Sequence, residues 1–507
     1  MNYMFLYYPK ARQVKITISH FTLEEAYQEI NGAAVARIWL FDILDPMDKL
    51  DADPIAPKEG KERRLAIYEP HGWFMYAHYG IPAVTKEQRQ ANLRAYADYL
   101  KFCGINQVQF HVINGSDVAR CAWYDSKLYD NLQGNLLEEF TPIAAEKGIE
   151  LVPIVAPIMT PYGGNLDKIP DKPDKDGFCK LSLQLDRDGK YANTMGCYAP
   201  DPLRPEVQEW MAKCLREVLD RVAKYPNIPG VAFRVNGKIG LCYVGYETDR
   251  CGQDKGYSEW DISEFEKDTG IKVPRMQPTP YSWIRANAWE QWEDWRCKRM
   301  HDFWLRMRDL VRSYRPDLKL IVACDLPSEY PGYNIEWVDG IPPRELMRHH
   351  GYDPELFKND EGIIIQRGMM IASDRYWSKW GPPHGMNYWA HKAFNYADGV
   401  VECYGTREGQ AVEFYHNYWE EDPHPDNEYG ATMRTGTGAP WGQYYFEPAT
   451  YSIRKANVHT MAYMGWERAS IGHEHDLRRF ARAYRALPYT EPKAFDGTVK
   501  VLNVAYG

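Results

Sequence analysis

"GVAFRVNGKIG", Gly230 to Gly240, decides how this chain is read. Its first six residues are four apolar side chains, a glycine and one arginine. A short apolar run of that kind suits a strand covered on both faces. It turns polar at Asn236. Upstream, Pro205 opens "PEVQEWMAKCLREVLDRVAKY", and proline is favoured at the first position of a helix. Before that lies a second apolar run, "IELVPIVAPI" (149–158). Downstream, an amphipathic helix predicted over Trp283 to Tyr314 leads to a third, "LKLIVACD" (318–325).

The same alternation continues to both sides. "RLAIYEPHGWFMYA" (64–77) reads as a first strand and "NQVQFHVIN" (106–114) as a second. Between them, Thr85 to Gly104 carries helix signals: a Thr N-cap, Gln88 three residues on, and a closing glycine. "LLEEFTPIAAEKG" is the next helix. "GIIIQRGMM" (362–370) and "GVVECYG" (399–405) read as strands six and seven, "TYSIRKANVHTMAYMG" (450–465) as a helix, and the region of "RASIG" (468–472) as strand eight. Eight strand–helix units over residues 65–490 predict an α/β fold, a (β/α)8 TIM barrel. No glycine-rich dinucleotide fingerprint follows the first strand. Residues 1–44 read as a β-rich segment, part of an incomplete accessory β domain. Residues 45–64 are charged and Pro-rich, a linker, and 491–507 read as one more strand or the start of a further domain.

The bulk numbers exclude several classes. The 507 residues carry a formal net charge of -9, so no basic field points to nucleic acid or an anionic membrane. No apolar run reaches the length of a transmembrane helix. The first residues lack the apolar region and cleavage site of a secretory leader. The 10 Cys show neither a CxxC pair nor regular spacing, so buried free thiols are expected rather than disulfides or zinc. The chain is rich in aromatics, with 17 Trp, 37 Tyr and 17 Phe. Such rings offer flat apolar faces with a polar handle, which suit the C–H faces of sugars as well as a large core.

In a barrel of this kind the active site lies at the C-terminal ends of the strands. Those ends collect Trp73 after strand one; His111, Asn114 and Asp117 at strand two; Arg234 and Asn236 at strand four; Asp325 at strand five; Arg367 at strand six; and Glu402 with Glu408 at strand seven. Trp377 and Trp380, in a loop with three Trp, and Trp441 in a second loop are candidate stacking platforms. Asp325 and Glu402 are carboxylates set in or ending apolar runs. Burying an acid is costly unless it is paired, and Arg234 or Arg367 could supply the pair. Two carboxylates across a cleft are also the machinery of glycoside hydrolysis: one protonated to release the leaving oxygen, one ionised to attack or activate water.

"GVVECYG", "EWDISEFEKDTGIKVP" (259–274) and "DLRRFARAYRALP" (476–488), with the barrel pattern, resemble glycoside hydrolase barrels, broadly the β-galactosidase-like ones. The resemblance covers residues 65–490. It implies a retaining nucleophile at a Glu ending strand seven, by position Glu402. It also implies an acid/base at the Glu of an Asn-Glu pair ending strand four. Here that pair reads Asn236-Gly237. Asp325 is the first candidate to replace it, then Glu247 with Asp249 in the loop after strand four, then Glu408. The expected function is hydrolysis of an oligo- or polysaccharide without a cofactor or metal. The alternatives are a catalytically inactive barrel that binds carbohydrate, and a metal-dependent sugar isomerase or lyase. Against the last, "HEHD" (473–476) places its residues too close in sequence to converge on one ion.

Overall fold

A computed structural model describes residues 62–69, 75, 85–116, 119–131, 134–156, 161–162, 165–194, 197–235, 241–243, 252–324, 343–371, 411–416, 459–464, 481 and 484–485. In chain order the main elements are β1 (Arg64–Glu69), α1 (Lys86–Phe102), β2 (Gln107–Ser116), α2 (Leu136–Glu146), β3 (Glu150–Ala156), α3 (Pro205–Val222), β4 (Gly230–Val235) and α4 (Glu259–Thr269). They continue with α5 (Trp289–Tyr314), β5 (Lys319–Cys324), α6 (Pro343–His349), β6 (Ile363–Ile371), β7 (Ala411–His416) and β8 (Thr460–Met464). Each of the eight strands pairs in parallel with its neighbours in sequence, and β8 returns to pair with β1 from Arg64↔Thr460 to Tyr68↔Met464. The sheet is therefore a closed barrel of eight parallel strands alternating with helices, as the apolar runs predict.

Local signals explain the helix ends. Thr85 accepts from the Gln88 amide at 3.2 Å while Gln88 answers the Thr85 amide at 3.0 Å, a reciprocal cap on α1. Pro205 sits at the start of α3, whose Val207, Trp210, Met211, Cys214, Leu215, Val218 and Val222 are buried in one stripe. The long helix expected over 283–314 is two: Tyr281–Asn287 and α5, broken at Ala288, which has φ -149. No sequence breaker marks that point.

The strands bury both faces. Outward residues such as Leu65, Ile67, Val108, Phe110, Val231, Phe233, Leu320 and Val322 join the main core under the helices. Inward, Ala66, Tyr68, Val152, Ile154, Ala232, Ile321 and Ala462 form a separate cluster that fills the barrel. Alternating small and branched residues let eight strands share one narrow interior. Gln109 and Gln366 add a polar bar, exchanging amide hydrogen bonds of 2.9 and 2.7 Å between β2 and β6, on opposite sides of the barrel. Cys103, Cys179, Cys214, Cys242 and Cys297 are free and buried, matching the expectation for these thiols. Among the described residues no helix is long and apolar enough to cross a membrane.

Two strand positions differ from the sequence reading. The slot between β6 and β8 is filled by Ala411–His416, not by "GVVECYG". The eighth strand is Thr460–Met464, inside the stretch expected to be helical and ahead of "RASIG". Met and Ala favour helices in isolation, but Met461 and Ala462 are fully buried on opposite faces of the closing strand, so tertiary context prevails. Residues 399–405 and 468–472 lie outside the described residues, as do 1–44 and 491–507.

Gly230 shows how closely the strands approach: a Cβ there would stand 2.3 Å from the Lys319 carbonyl oxygen. Gly230→Ala is expected to lower the unfolding free energy by about 1–3 kcal/mol, because backbone must shift to admit one methyl. Urea unfolding measures this; an unchanged midpoint would contradict the close approach of β4 and β5.

Candidate active site at the C-terminal rim of the barrel

Parallel strands all end on one side, so the C-terminal residues of β1 to β8 ring a single face. Just below that rim three side chains meet. Tyr68 of β1, His111 of β2 and Arg234 of β4 are all buried, with exposures of 0%, 5% and 3%. The Tyr68 hydroxyl is hydrogen-bonded to His111 Nε2 and accepts from the Arg234 guanidinium. Arg234 also lies 4.9 Å from the centre of the Tyr68 ring, and the Tyr68 and His111 rings meet edge to face at 5.3 Å. A guanidinium can only donate, so the phenol oxygen is the acceptor in this contact.

The sequence reading named His111 and Arg234; the structure joins them through Tyr68, which it missed. A signal for Tyr68 was present. Strand residues two apart share a face, so Tyr68 follows Ala66 into the barrel. The same rule places Gln107, Gln109 and His111 on one face of "QVQFHV", a polar row inside a barrel. The register of β2 slips just after His111, so that His111 faces Ile154 and Ile113 faces Val155. The Val112 carbonyl at the slip accepts from the Trp123 amide at 2.8 Å. Bulges of this kind re-aim strands near functional sites. Beyond it Asn114 pairs with Ala156 and, in an antiparallel hairpin, with Cys121, so its position lies at the rim. Arg367 lies in β6 opposite Cys324. Trp73, Asp117, Asn236, Glu247, Asp325, Trp377, Trp380, Glu402, Glu408 and Trp441 lie outside the described residues.

The register also locates a carboxylate position that the sequence reading passed over. Glu413 is the third residue of β7, between Gly368 of β6 and Ala462 of β8. Cys324, the last residue of β5, pairs with Arg367, the neighbour of Gly368, and the next residue in the chain is Asp325. "AVEFYH" is a short apolar run interrupted by one acid, the same pattern that drew attention to "GVVECYG".

Part of the wall above β4 and β5 is a dense polar junction. Arg296 of α5 is fully buried and donates to the carbonyls of Lys255 at 3.0 Å and His349 at 3.1 Å, with its guanidinium 4.2 Å from the centre of the Tyr243 ring. His349 Nε2 lies 3.5 Å from Glu293 Oε1. Burial, with help from His350 and Arg296, pushes the His349 imidazole down to about 3, and burial lifts the Glu293 carboxyl to about 7. The imidazole is therefore neutral at neutral pH, and burial holds a large share of the Glu293 carboxyl in its protonated form there. Gly252, at φ +79, lets the loop pass: a Cβ there would meet the carbonyl oxygens of Tyr243 at 2.6 Å and His349 at 2.8 Å. Among the described residues no three His, Cys, Asp or Glu side chains converge as metal ligands.

No family model matches the sequence, and no curated protein matches it. Solved structures do. The glycoside hydrolase domain of PgaB (BpsB) from Bordetella bronchiseptica aligns with 83% of this chain and 99% of its own, at 14% identity and a TM-score of 0.51. The β-galactosidase of Rahnella sp. R3 aligns over 86% of this chain and 57% of its own, at 12% identity and a TM-score of 0.48. That of Marinomonas ef1 aligns over 83% and 58%, at 12% identity and 0.44. This chain thus spans just over half the length of the two β-galactosidases. The likeness is one of fold: a (β/α) barrel of the kind found in glycoside hydrolases, as the sequence resemblance implies.

Tyr68→Phe removes the oxygen that both Arg234 and His111 contact. Removing a buried hydrogen-bond partner costs about 1–3 kcal/mol, and urea unfolding at neutral pH should show a loss of that size. Stability equal to the parent would mean that the hydroxyl does not hold the two side chains.

Proposed function

We propose that the chain is a glycoside hydrolase that cleaves an oligo- or polysaccharide with two carboxylates at the C-terminal rim. The observation that carries this reading is the rim itself. A closed barrel places a buried Arg234–Tyr68–His111 group under the face where parallel barrels do their chemistry. A fixed cation beneath such a cleft favours an ionised carboxylate above it. His111 and Arg234 are assigned to orient sugar hydroxyls. Asn114, Asp117, Asn236, Arg367 and Glu408 are assigned to the same task around the rim, with Trp73, Trp377, Trp380 and Trp441 as stacking faces for the rings.

For the carboxylates we assign Asp325 as the acid, with Glu247 as the second candidate. The strand-seven acid is Glu402 on the sequence resemblance; the pairing of Ala411–His416 into that slot supports Glu413 instead. Strand spacing of about 4.8 Å puts residues two strands apart on the order of 10 Å at the backbone. For Asp325 and the strand-seven acid to act as a pair, their carboxyl groups must stand about 5–9.5 Å apart, the separations that glycosidases use.

Single variants Asp325→Asn, Glu402→Gln and Glu413→Gln test this against a panel of oligosaccharides, with product release as the readout. Asp325→Asn and one of the two glutamate variants are expected to lose at least about a hundredfold in turnover. The glutamate whose loss is silent is not the strand-seven acid. Binding to the panel with no product from the parent chain would sink the hydrolase reading and favour a barrel that only binds carbohydrate. The replacement of the strand-four Glu by Gly237 favours that second reading.

A further inference from the structure

On the outer wall of the barrel, α3, α4 and α5 leave a trough of about 560 Å3 between them. It is bordered from Pro205 to Arg216 along α3 and from Trp295 to Leu310 along α5. At the helical rise those stretches run on the order of 20 Å, so the trough is long rather than round. Leu203, Ala212, Trp295 and Met307 are buried and form its apolar floor, where the short side chain of Ala212 leaves room. Trp260 is half-buried beside them, and the Arg204 guanidinium stacks 4.9 Å from the centre of its ring, which holds the indole in place. Trp295 is fixed too: its indole nitrogen donates to Asp268 at 2.8 Å and its ring packs against Phe265 and Trp292. Above the floor the walls are charged and matched. Arg216 meets Glu209 at 2.8 Å within α3, and Arg299 of α5 meets Glu264 of α4 at 2.7 Å. Arg306 of α5 donates to Gln208 of α3 across the trough, and Asp302 lies 3.7 Å from Lys298.

We propose that this trough is a second carbohydrate-binding site, one that takes a neutral linear oligosaccharide away from the rim to which cleavage is assigned. The proposal rests on the reading of the chain as a carbohydrate-cleaving barrel, and adds a surface that holds the substrate. Three features choose the ligand. Three arginines and three acids line the trough, so it offers no net charge to attract an anion or a cation. Sugar hydroxyls both donate and accept, and the walls supply both functions: N–H groups from Arg216, Arg306 and Gln208, and carboxylate oxygens from Glu209 and Asp302. The open part of the Trp260 indole seats an apolar C–H face. Side chains already held by their neighbours lose little freedom when a ligand arrives. A peptide helix would need apolar anchors along the whole groove, and a peptide strand would need an open sheet edge, which a trough between helices does not have. The trough also has a direction. α3 starts on the side where β3 ends, so the end at Leu203 and Pro205 is the one nearer the rim. A polymer lying there is held close to the cleaving face at raised local concentration.

The test separates binding from cleavage. The full chain and its Trp260→Ala, Arg306→Ala and Gln208→Ala variants are run through gels containing soluble neutral galactan, glucan, mannan or xylan. Each is also assayed for product from short oligosaccharides of the same sugars. At least one polymer is expected to retard the parent. The variants should bind that polymer about tenfold more weakly, as the loss of a stacking face or of a pair of hydrogen bonds implies, with turnover on the short substrate unchanged. Arg306 is exposed and Gln208 half-buried, so their variants carry the test if Trp260→Ala does not fold. Equal retardation of parent and variants, or no retardation of the parent by any of the polymers, overturns the proposal. So does a parent dimer in sedimentation that Arg306→Ala dissociates, because the trough then belongs to a second copy of the chain. The two readings fail separately. Retardation lost in the variants, with no product from the parent, removes the hydrolase and keeps the trough. Product from the parent, with retardation unaltered in the variants, removes the trough and keeps the hydrolase.

Discussion

The pairing of β8 with β1 is the constraint on which the other features depend. An open sheet of seven strands would leave two edges and no common interior. Closing it with Thr460–Met464 forces eight strands to share one narrow space. That space accepts alanines at 66, 232 and 462 beside branched residues at 152, 154 and 321. It also dictates that the side chains one layer higher, Tyr68, His111 and Arg234, converge, because there is nowhere else for inward residues of β1, β2 and β4 to go. The candidate site is in this sense a product of closure.

Above that layer the molecule changes character. The barrel is held by apolar packing and amide exchange, both indifferent to pH over the ordinary range. The loops on the C-terminal face are held by buried polar groups: the Arg296 junction with Tyr243, Lys255 and His349, the His349–Glu293 pair, and Gln184, which donates to the carbonyls of Pro200 and Cys242. Buried polar contacts of this type fix one arrangement of the chain more than they add net stability. An apolar barrel under loops fixed by buried polar contacts divides the labour between support and recognition.

The fold was legible wherever the apolar period was unambiguous. Strands one to six, α1 with its Thr85–Gln88 cap, and α3 with Pro205 all appear where the sequence places them. The last two strands were not, for a physical reason. Runs such as "VHTMAYMG" (458–465) carry no period that separates a short buried strand from a helix, and only the need to close the barrel selects one. Two apolar runs with an embedded acid, around Glu402 and Glu413, compete for strand seven, and local pattern ranks them equally. His111 and Arg234 were found because a polar residue in an apolar run stands out. Tyr68 was not, because tyrosine is at home in a strand, and its part is set by partners distant in sequence.

The Gln109–Gln366 bar has a consequence for how such a protein can change. The two amides exchange hydrogen bonds, and Gln109 also donates to Gln107, so the crossing itself is built from uncharged groups. It seals the barrel from below and imposes no charge preference on whatever occupies the space above. Replacement of rim side chains can therefore proceed without renegotiating the foundation, in contrast to a barrel braced by an ion pair, where every new charge overhead would be felt beneath. A neutral keystone of this kind leaves the upper face free to acquire, exchange or abandon a chemistry while the architecture persists.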